Sequence, residues 1–145
     1  VTRRYYKATR PDGTDFHTGT VDYAAALASG EPVTHPAFDR HGDASSYLSV
    51  ATVPTDCTGF RWPCRLFAVE AVGRAWRVGD DLPNKRAVRA GRVVEELPPW
   101  QVFGPQGEAV AALVDRAARL TADEMSRLSA AWSAARDAAG SAAWD

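Results

Sequence analysis

The chain has 145 residues, 46% of them hydrophobic and 24% charged, the values of one folded domain or of one domain with a helical appendage. Seventeen basic residues against eighteen acidic ones give a net charge of -1, which excludes a strongly basic nucleic-acid coat protein and an acidic disordered tail. The start, VTRRYYKATR, carries charge with no apolar stretch behind it, and no run approaches the roughly 20 apolar residues of a membrane helix, so the expected compartment is the cytoplasm.

In chain order, Arg4 to Thr9 (RYYKAT) reads as a strand on its aromatic and β-favouring residues. Pro11-Asp12-Gly13 is a turn with a mechanism, since Pro presets φ and Gly takes a positive one. Thr14 to Thr18 is expected to return as the second strand of a hairpin. Val21 to Ser29 fits a short helix capped by Thr20 and stopped by Gly30, and Glu31 to Ser46 is mostly loop. Tyr47 to Val53 is a strand ended by Pro54. Arg65 to Val72 (RLFAVEAV) is apolar on both faces, the pattern of a central strand, and Ala75 to Val78 continues it beyond a bend at Gly73. Asp80 to Asn84 is a turn, and a last strand covers Arg92 to Glu96.

The composition then changes. Residues 107 to 145 hold fourteen alanines and no proline, and Leu97 to Gly107 carries three prolines that forbid a continuous helix. Ala109 to Leu120 sets Val110, Leu113, Val114 and Ala117 on one helical face, expected to pack on the sheet. Thr121 to Glu124 is a capping box, with Leu120 and Met125 placed to form the staple beside it, and a second helix runs to about Ala139, where Gly140 can end it. From Ala130 onward alanine pairs recur every four residues, and the chain stops inside that repeat, as a cropped or variable-length tail would. Small residues on such a stripe permit close helix approach, and Trp132 and Trp144 offer anchors for a partner. The sequence therefore predicts an α+β protein: a small, mostly antiparallel sheet domain over 1–97, a Pro/Gly linker over 98–107, and an Ala-rich helical hairpin over 108–145. Tyr6, Phe67, Val69, Ala71, Trp76 and Val93 are the expected core.

No motif fixes a chemistry. His35, His41, Cys57 and Cys64 are zinc-type ligands, but their spacing, H-x5-H-x15-C-x6-C, departs from compact zinc motifs with pairs about two to five residues apart, so no metal site is expected. Cys57 and Cys64 do not amount to a disulfide framework and read as structural thiols. Either one with His17, His35 or His41 makes a nominal Cys-His pair, without a local signature. Arg74, Arg77, Lys85, Arg86, Arg89 and Arg92 cluster around Trp76, opposed by Asp80 and Asp81, and can bind nucleic acid through phosphate contacts and stacking. A solvated sheet face explains the same residues, and the near-neutral net charge favours it.

Two resemblances are carried by particular residues. Arg4 or Arg10 first, Ser46-Tyr47 or Ser49 next and Glu95-Glu96 last follow the order of catalytic residues in ADP-ribosyltransferases, and VVEELPPWQVFG is similar to the glutamate strand of some members. The resemblance implies an NAD-using enzyme with Arg4, Tyr47, Glu95 and Glu96 in its site. The middle Ser-Thr-Ser-type motif is replaced by SSYLSVAT. The stretches YYKATRPDGTDFHTG, DCTGF, RLFAVEAVG, DDLPNKRAV and RVVEEL, followed by an Ala/Trp/Arg repeat tail, resemble an uncharacterised domain of phage and prophage proteins. Fifteen arginines against two lysines and the abundance of alanine fit a high-GC bacterial source, as does Val1 read from a GTG codon. That resemblance implies an accessory protein of mobile-element origin and assigns no catalytic residue. The leading expectation is a non-enzymatic module, without cofactor, that binds another protein or itself through its C-terminal helix.

Overall fold

The structure, a computed structural model, describes residues 3–39, 41–57 and 59–142. It divides into two compact units, Val1–Glu108 and Ala109–Asp145. The first unit holds five strands: β1 (Arg4–Thr9), β2 (Val33–Thr34), β3 (Leu48–Ala51), β4 (Arg65–Arg77) and β5 (Lys85–Leu97), with the short helix α1 (Tyr23–Ser29) between β1 and β2. All pairings are antiparallel, and the fold is α+β.

The sheet closes on itself. β1 lies between β3 and β4, and both of those also pair with β5, so β1, β3, β5 and β4 form a ring, with β2 added along β5. β4 is central, as its two apolar faces require, and Leu66 to Val69 are all buried. It is one 13-residue strand through Arg77, with register shifts at Ala68/Val69 and at Val72/Ala75. Gly73, at φ 89°, sits in the second shift, where the backbone leaves the range open to other residues. β5 begins at Lys85, seven residues before the predicted start, because Lys85 to Val88 are held by β3 on one side while Arg86 to Val88 pair with β4 on the other.

The expected strand Thr14 to Thr18 does not form. The Pro-Asp-Gly turn is present, with Gly13 N–H donating to the Arg10 carbonyl at 2.9 Å. After it, both edges of β1 are already occupied by β3 and β4, and the chain instead wraps around the Asp15 carboxylate. That group accepts from Thr18 N (2.7 Å), Thr18 Oγ1 (2.8 Å), Thr20 N (3.2 Å) and Val21 N (3.1 Å). Such local side-chain bonds satisfy a backbone that has no ladder to join. The helix that follows is capped by Asp22, not Thr20: Asp22 Oδ1 accepts from Ala25 N at 2.9 Å, and Gly30, at φ 75°, ends it.

Two cores result. The larger gathers Tyr5, Tyr23, Val50, Phe67, Val69 and Val88, among others, under α1. The smaller holds Ala8, Ala51, Cys57, Cys64, Leu66 and Val102. Val102 comes from a 3-10 turn over Pro99–Phe103, so part of the Pro/Gly segment is packed. Of the predicted core, Phe67, Val69 and Val93 are buried, while Tyr6, Ala71 and Trp76 are partly exposed.

α2 (Gly107–Ala117) and α3 (Ala122–Ala142) follow. The capping box is made: Thr121 N donates to Glu124 Oε2 at 2.8 Å and Glu124 N donates to Thr121 Oγ1 at 3.3 Å. α3 continues past Gly140, which does not end it. Leu113 and Val114 are exposed, contrary to the expected packing face, and the buried residues of α2 are Gly107 and Ala111. Within the helical unit Leu113 lines a groove of about 560 Å³ with Leu120 and Leu128.

Candidate functional site

The ring places two lysines at one cavity. β1 and β5 both pair with β3, through Tyr6 opposite Ala51 and Ala51 opposite Lys85. Lys7 of β1 and Lys85 of β5 therefore approach the same space from either side of β3. Its volume is about 20 Å³, and its lining includes Lys7, Lys85, Cys57, Ser49, Phe16 and His17. Each lysine is only 9% exposed. Among the described residues neither ammonium has a hydrogen-bond or ion-pair partner. The Lys7 ammonium lies 5.8 Å from the centre of the Tyr23 ring.

Burial pushes the Lys7 ammonium down to about 8, against the pull of Asp15 and with the push of Lys85. Lys85 is lowered as well, again chiefly by burial. Burial also raises the Cys57 thiol, although both lysines oppose that shift. Asp56 pulls on Lys85, with which it lines a further pocket, and the carboxylate that pulls on Lys7 is Asp15. Burial would raise its carboxyl, but its hydrogen bonds from Thr18 and Val21, together with the Lys7 charge, hold it at about 2. Its oxygens are already occupied by the loop it organises.

A wider groove of about 490 Å³ shares Phe16, His17 and Gly59 with this cavity and adds Arg10, Arg61 and Trp62. Arg10 is pinned there, with Nη2 donating to the Phe16 carbonyl at 3.2 Å. Gly19 is needed beside it, because a Cβ at that position would meet Arg10 Nη1 at 2.7 Å and its φ is 68°. The combined surface is cationic, with apolar rings on its wall.

The residues singled out in the sequence fall elsewhere. Arg4 Nη1 lies 2.9 Å from Glu95 Oε2, and both side chains are about half exposed. Arg65 binds Glu96 through two bonds of 2.8 and 2.7 Å. Tyr47 is buried. None of the cavities described above is lined by Arg4, Tyr47, Glu95 or Glu96. Of the basic cluster, Arg74, Arg77, Arg89 and Arg92 are exposed and Arg86 is half-buried, with Nη1 donating to the Pro83 and Lys85 carbonyls. Arg77 stands opposite Arg86 and Arg92 opposite Glu70. Lys85 departs from this face and enters the cavity.

His35 is buried, and its Nδ1 accepts from Ala37 N at 3.2 Å. Cys57 and Cys64 are buried free thiols of the smaller core. Among the described residues no three His, Cys, Asp or Glu side chains come together as a metal site. Among the described residues, no helix is long and apolar enough to cross a membrane. Trp132 is 67% exposed on α3, while Trp144 lies outside the described residues.

Sequence reasoning missed Lys7 and grouped Lys85 with the arginine cluster, not with the cavity. The available signal was composition: these are the only two lysines in a chain with fifteen arginines, and Lys7 sits inside an apolar strand. No family model, no curated protein and no solved structure matches the chain.

Proposed function

We propose that the protein is a non-enzymatic binding and assembly module whose C-terminal helix associates with a second copy of the same chain. The observation that carries this reading is the state of α3. Its described side chains are all exposed, and they include Trp132, Leu128 and Met125. Met125, Leu128, Trp132, Ala135 and Ala139 follow one seam at heptad spacing. Residue 132 is the midpoint of the helix range 122–142. An antiparallel pair centred there sets the two Trp132 rings together and opposes Met125 and Leu128 to Ala139 and Ala135 of the other copy, large against small. The positions flanking the seam, including Glu124, Ser129 and Arg136, bring no like charges together in that arrangement. Assembly also suits the accessory role implied by the resemblance to phage-associated domains.

Sedimentation equilibrium of the full chain tests the reading. A concentration-dependent dimer is expected, weakened at least tenfold by Trp132→Ala and further by adding Trp144→Ala. A chain that stays monomeric at the highest soluble concentration overturns it.

A further inference from the structure

The net charge of -1 hides an uneven distribution. Residues 71–92, the arm formed by the end of β4, the turn and the start of β5, carry six basic side chains against Asp80 and Asp81, a formal +4, so the rest of the chain carries -5. The strand register then sets like charges against each other. Arg77 of β4 stands directly opposite Arg86 of β5. Between the pairs Val72–Ala90 and Ala75–Val88, Gly73 and Arg74 of β4 lie across from Arg89 of β5. Like charges directly opposed across a ladder destabilise a sheet. Among the described residues, the side chains of Arg74, Arg77 and Arg89 have no ion-pair or hydrogen-bond partner, and all three residues are exposed. Arg86 Nη1 donates to the Pro83 and Lys85 carbonyls, which hold its charge in place without neutralising it. Charge on the open edge of β4 opposes strand addition, and Arg74 and Arg77 supply it. That purpose does not account for Arg86, in a stretch of β5 with β3 on its other side, or for Arg89 set against Arg74.

From this we infer that the β4–β5 arm is a docking surface for the phosphate backbone of a nucleic-acid duplex, an activity independent of assembly through α3. The two opposed arginine pairs lie about 10 Å apart along the strands, and a polyanion laid across them relieves both repulsions at once. The exposed cations of the arm are all arginine, whose planar fork matches phosphate through two parallel bonds. Arg92 is a lesser contributor, because Glu70 stands opposite it. Unpaired bases would need an aromatic platform. Trp76, the one aromatic residue of the arm, is half-buried with its ring against Phe38, at 5.3 Å between centres, so duplex backbone fits better than a single strand. Contacts of this kind position a duplex without reading its sequence.

Fluorescence anisotropy of a labelled DNA duplex of about 20 base pairs, titrated with the full chain, tests this. Saturable binding is expected, with a log–log salt slope of about -3, a loss of about sixtyfold between about 50 and 200 mM salt, and little difference between duplexes of unrelated sequence. The double variant Arg74→Gln, Arg89→Gln should weaken binding at least tenfold at low salt and bring the slope to about -1. Arg61→Gln, at an exposed position before β4, should leave binding unchanged. A second readout follows from the opposed pair. Without DNA at low salt, Arg77→Gln should unfold at slightly higher urea than wild type, and saturating duplex should reverse that order. Absence of saturable binding at about 50 mM salt overturns the inference. So does an affinity indifferent to salt or to the double variant, or an equal loss in Arg61→Gln, which would move the contact to the groove beside Arg10. A single strand of the same length binding more tightly than the duplex also overturns it. Polyglutamate competing as well as DNA would assign the arm to an acidic protein, and phosphatidylserine vesicles competing better would assign it to a membrane surface, each in place of the duplex.

Discussion

Lys7 and Lys85 face one cavity from two strands that do not pair with each other, each held by its neighbour β3. Their proximity comes from closure of the sheet, across 78 positions of sequence, and it places two positive charges where an apolar pair would pack more easily.

Stability should carry the mark of that charge. Lys7 is depressed in the folded chain, from 10.5 to about 8. Below pH 8 both folded and unfolded chains hold the proton, and the burial penalty is present in full. Between pH 8 and 10.5 the unfolded chain binds more protons, so stability attributable to Lys7 rises with pH, by about 3 kcal/mol across the window. The two cysteines act in the opposite direction above pH 9, since burial raises them in the folded state. The difference between wild type and Lys7→Met isolates the lysine. Urea unfolding should show the variant more stable at pH 7 and the gap closing by pH 10; a gap independent of pH would contradict the assignment.

Asp15 contributes with the opposite sign. Its folded value of about 2 lies below the ordinary 3.8, so its contribution is complete above about pH 4 and is lost as pH falls through 2. Asp15→Asn, which keeps the shape but not the charge, should cost about 2 kcal/mol at pH 7 and nothing near pH 2. Denaturant melts at the two pH values check it.

Gly91 and Val69 should behave as one unit. A Cβ at Gly91 would meet Val69 Cγ1 at 2.6 Å. Gly91→Ala is expected to cost about 1–3 kcal/mol through overpacking, and Val69→Ala, which removes the obstructing methyls, should recover part of that loss in a double-mutant cycle. Additive losses would show that the clash is relieved elsewhere.

The thiols should be slow to react. Burial raises Cys57, and it raises Cys64 to about 11. Ellman's reagent at pH 8 should label both only on unfolding. Rapid labelling of Cys57 in the native chain would mean that its cavity opens more widely than its volume suggests.

The enzyme alternative has its own direct assay. Glu95 and Glu96 are each bound to an arginine at the surface, and a non-enzymatic module predicts a flat melting temperature across an NAD titration. A saturable rise lost in Glu95→Gln or Glu96→Gln would replace the module with an ADP-ribosyltransferase-like reading.

The parts of the fold legible in the sequence are those with local causes. RLFAVEAV shows a central strand because six of its eight residues are apolar and they fall on both faces, and the Thr121–Glu124 box marks the start of α3 because two side chains reciprocate within one turn. The helix face of α2 was legible as a period but not as a destination, since periodicity says which residues align and not what covers them. The Thr14–Thr18 strand failed for a non-local reason: β3 and β4, distant in sequence, had taken both edges of β1. The lysine cavity is non-local in the same way. Nothing near Lys7 or Lys85 announces the other, and a basic run from Arg74 to Arg92 reads as one face until register turns Lys85 inward.

Closure of the strand ring also bears on how the chain behaves in a crowded solution. Four of the five strands have a neighbour on each side, and β2, with two residues, presents little backbone for another chain to extend. Beyond the ends of β1 and β2, Ala71 to Arg77 of β4 and Arg92 to Leu97 of β5 each keep a ladder partner on one side only, and Arg74, Arg77, Arg92, Glu95 and Glu96 set charge along those stretches against edge-to-edge growth. Strand addition to this unit is opposed by charge along its open stretches, and association is left to side chains, where single substitutions can tune it.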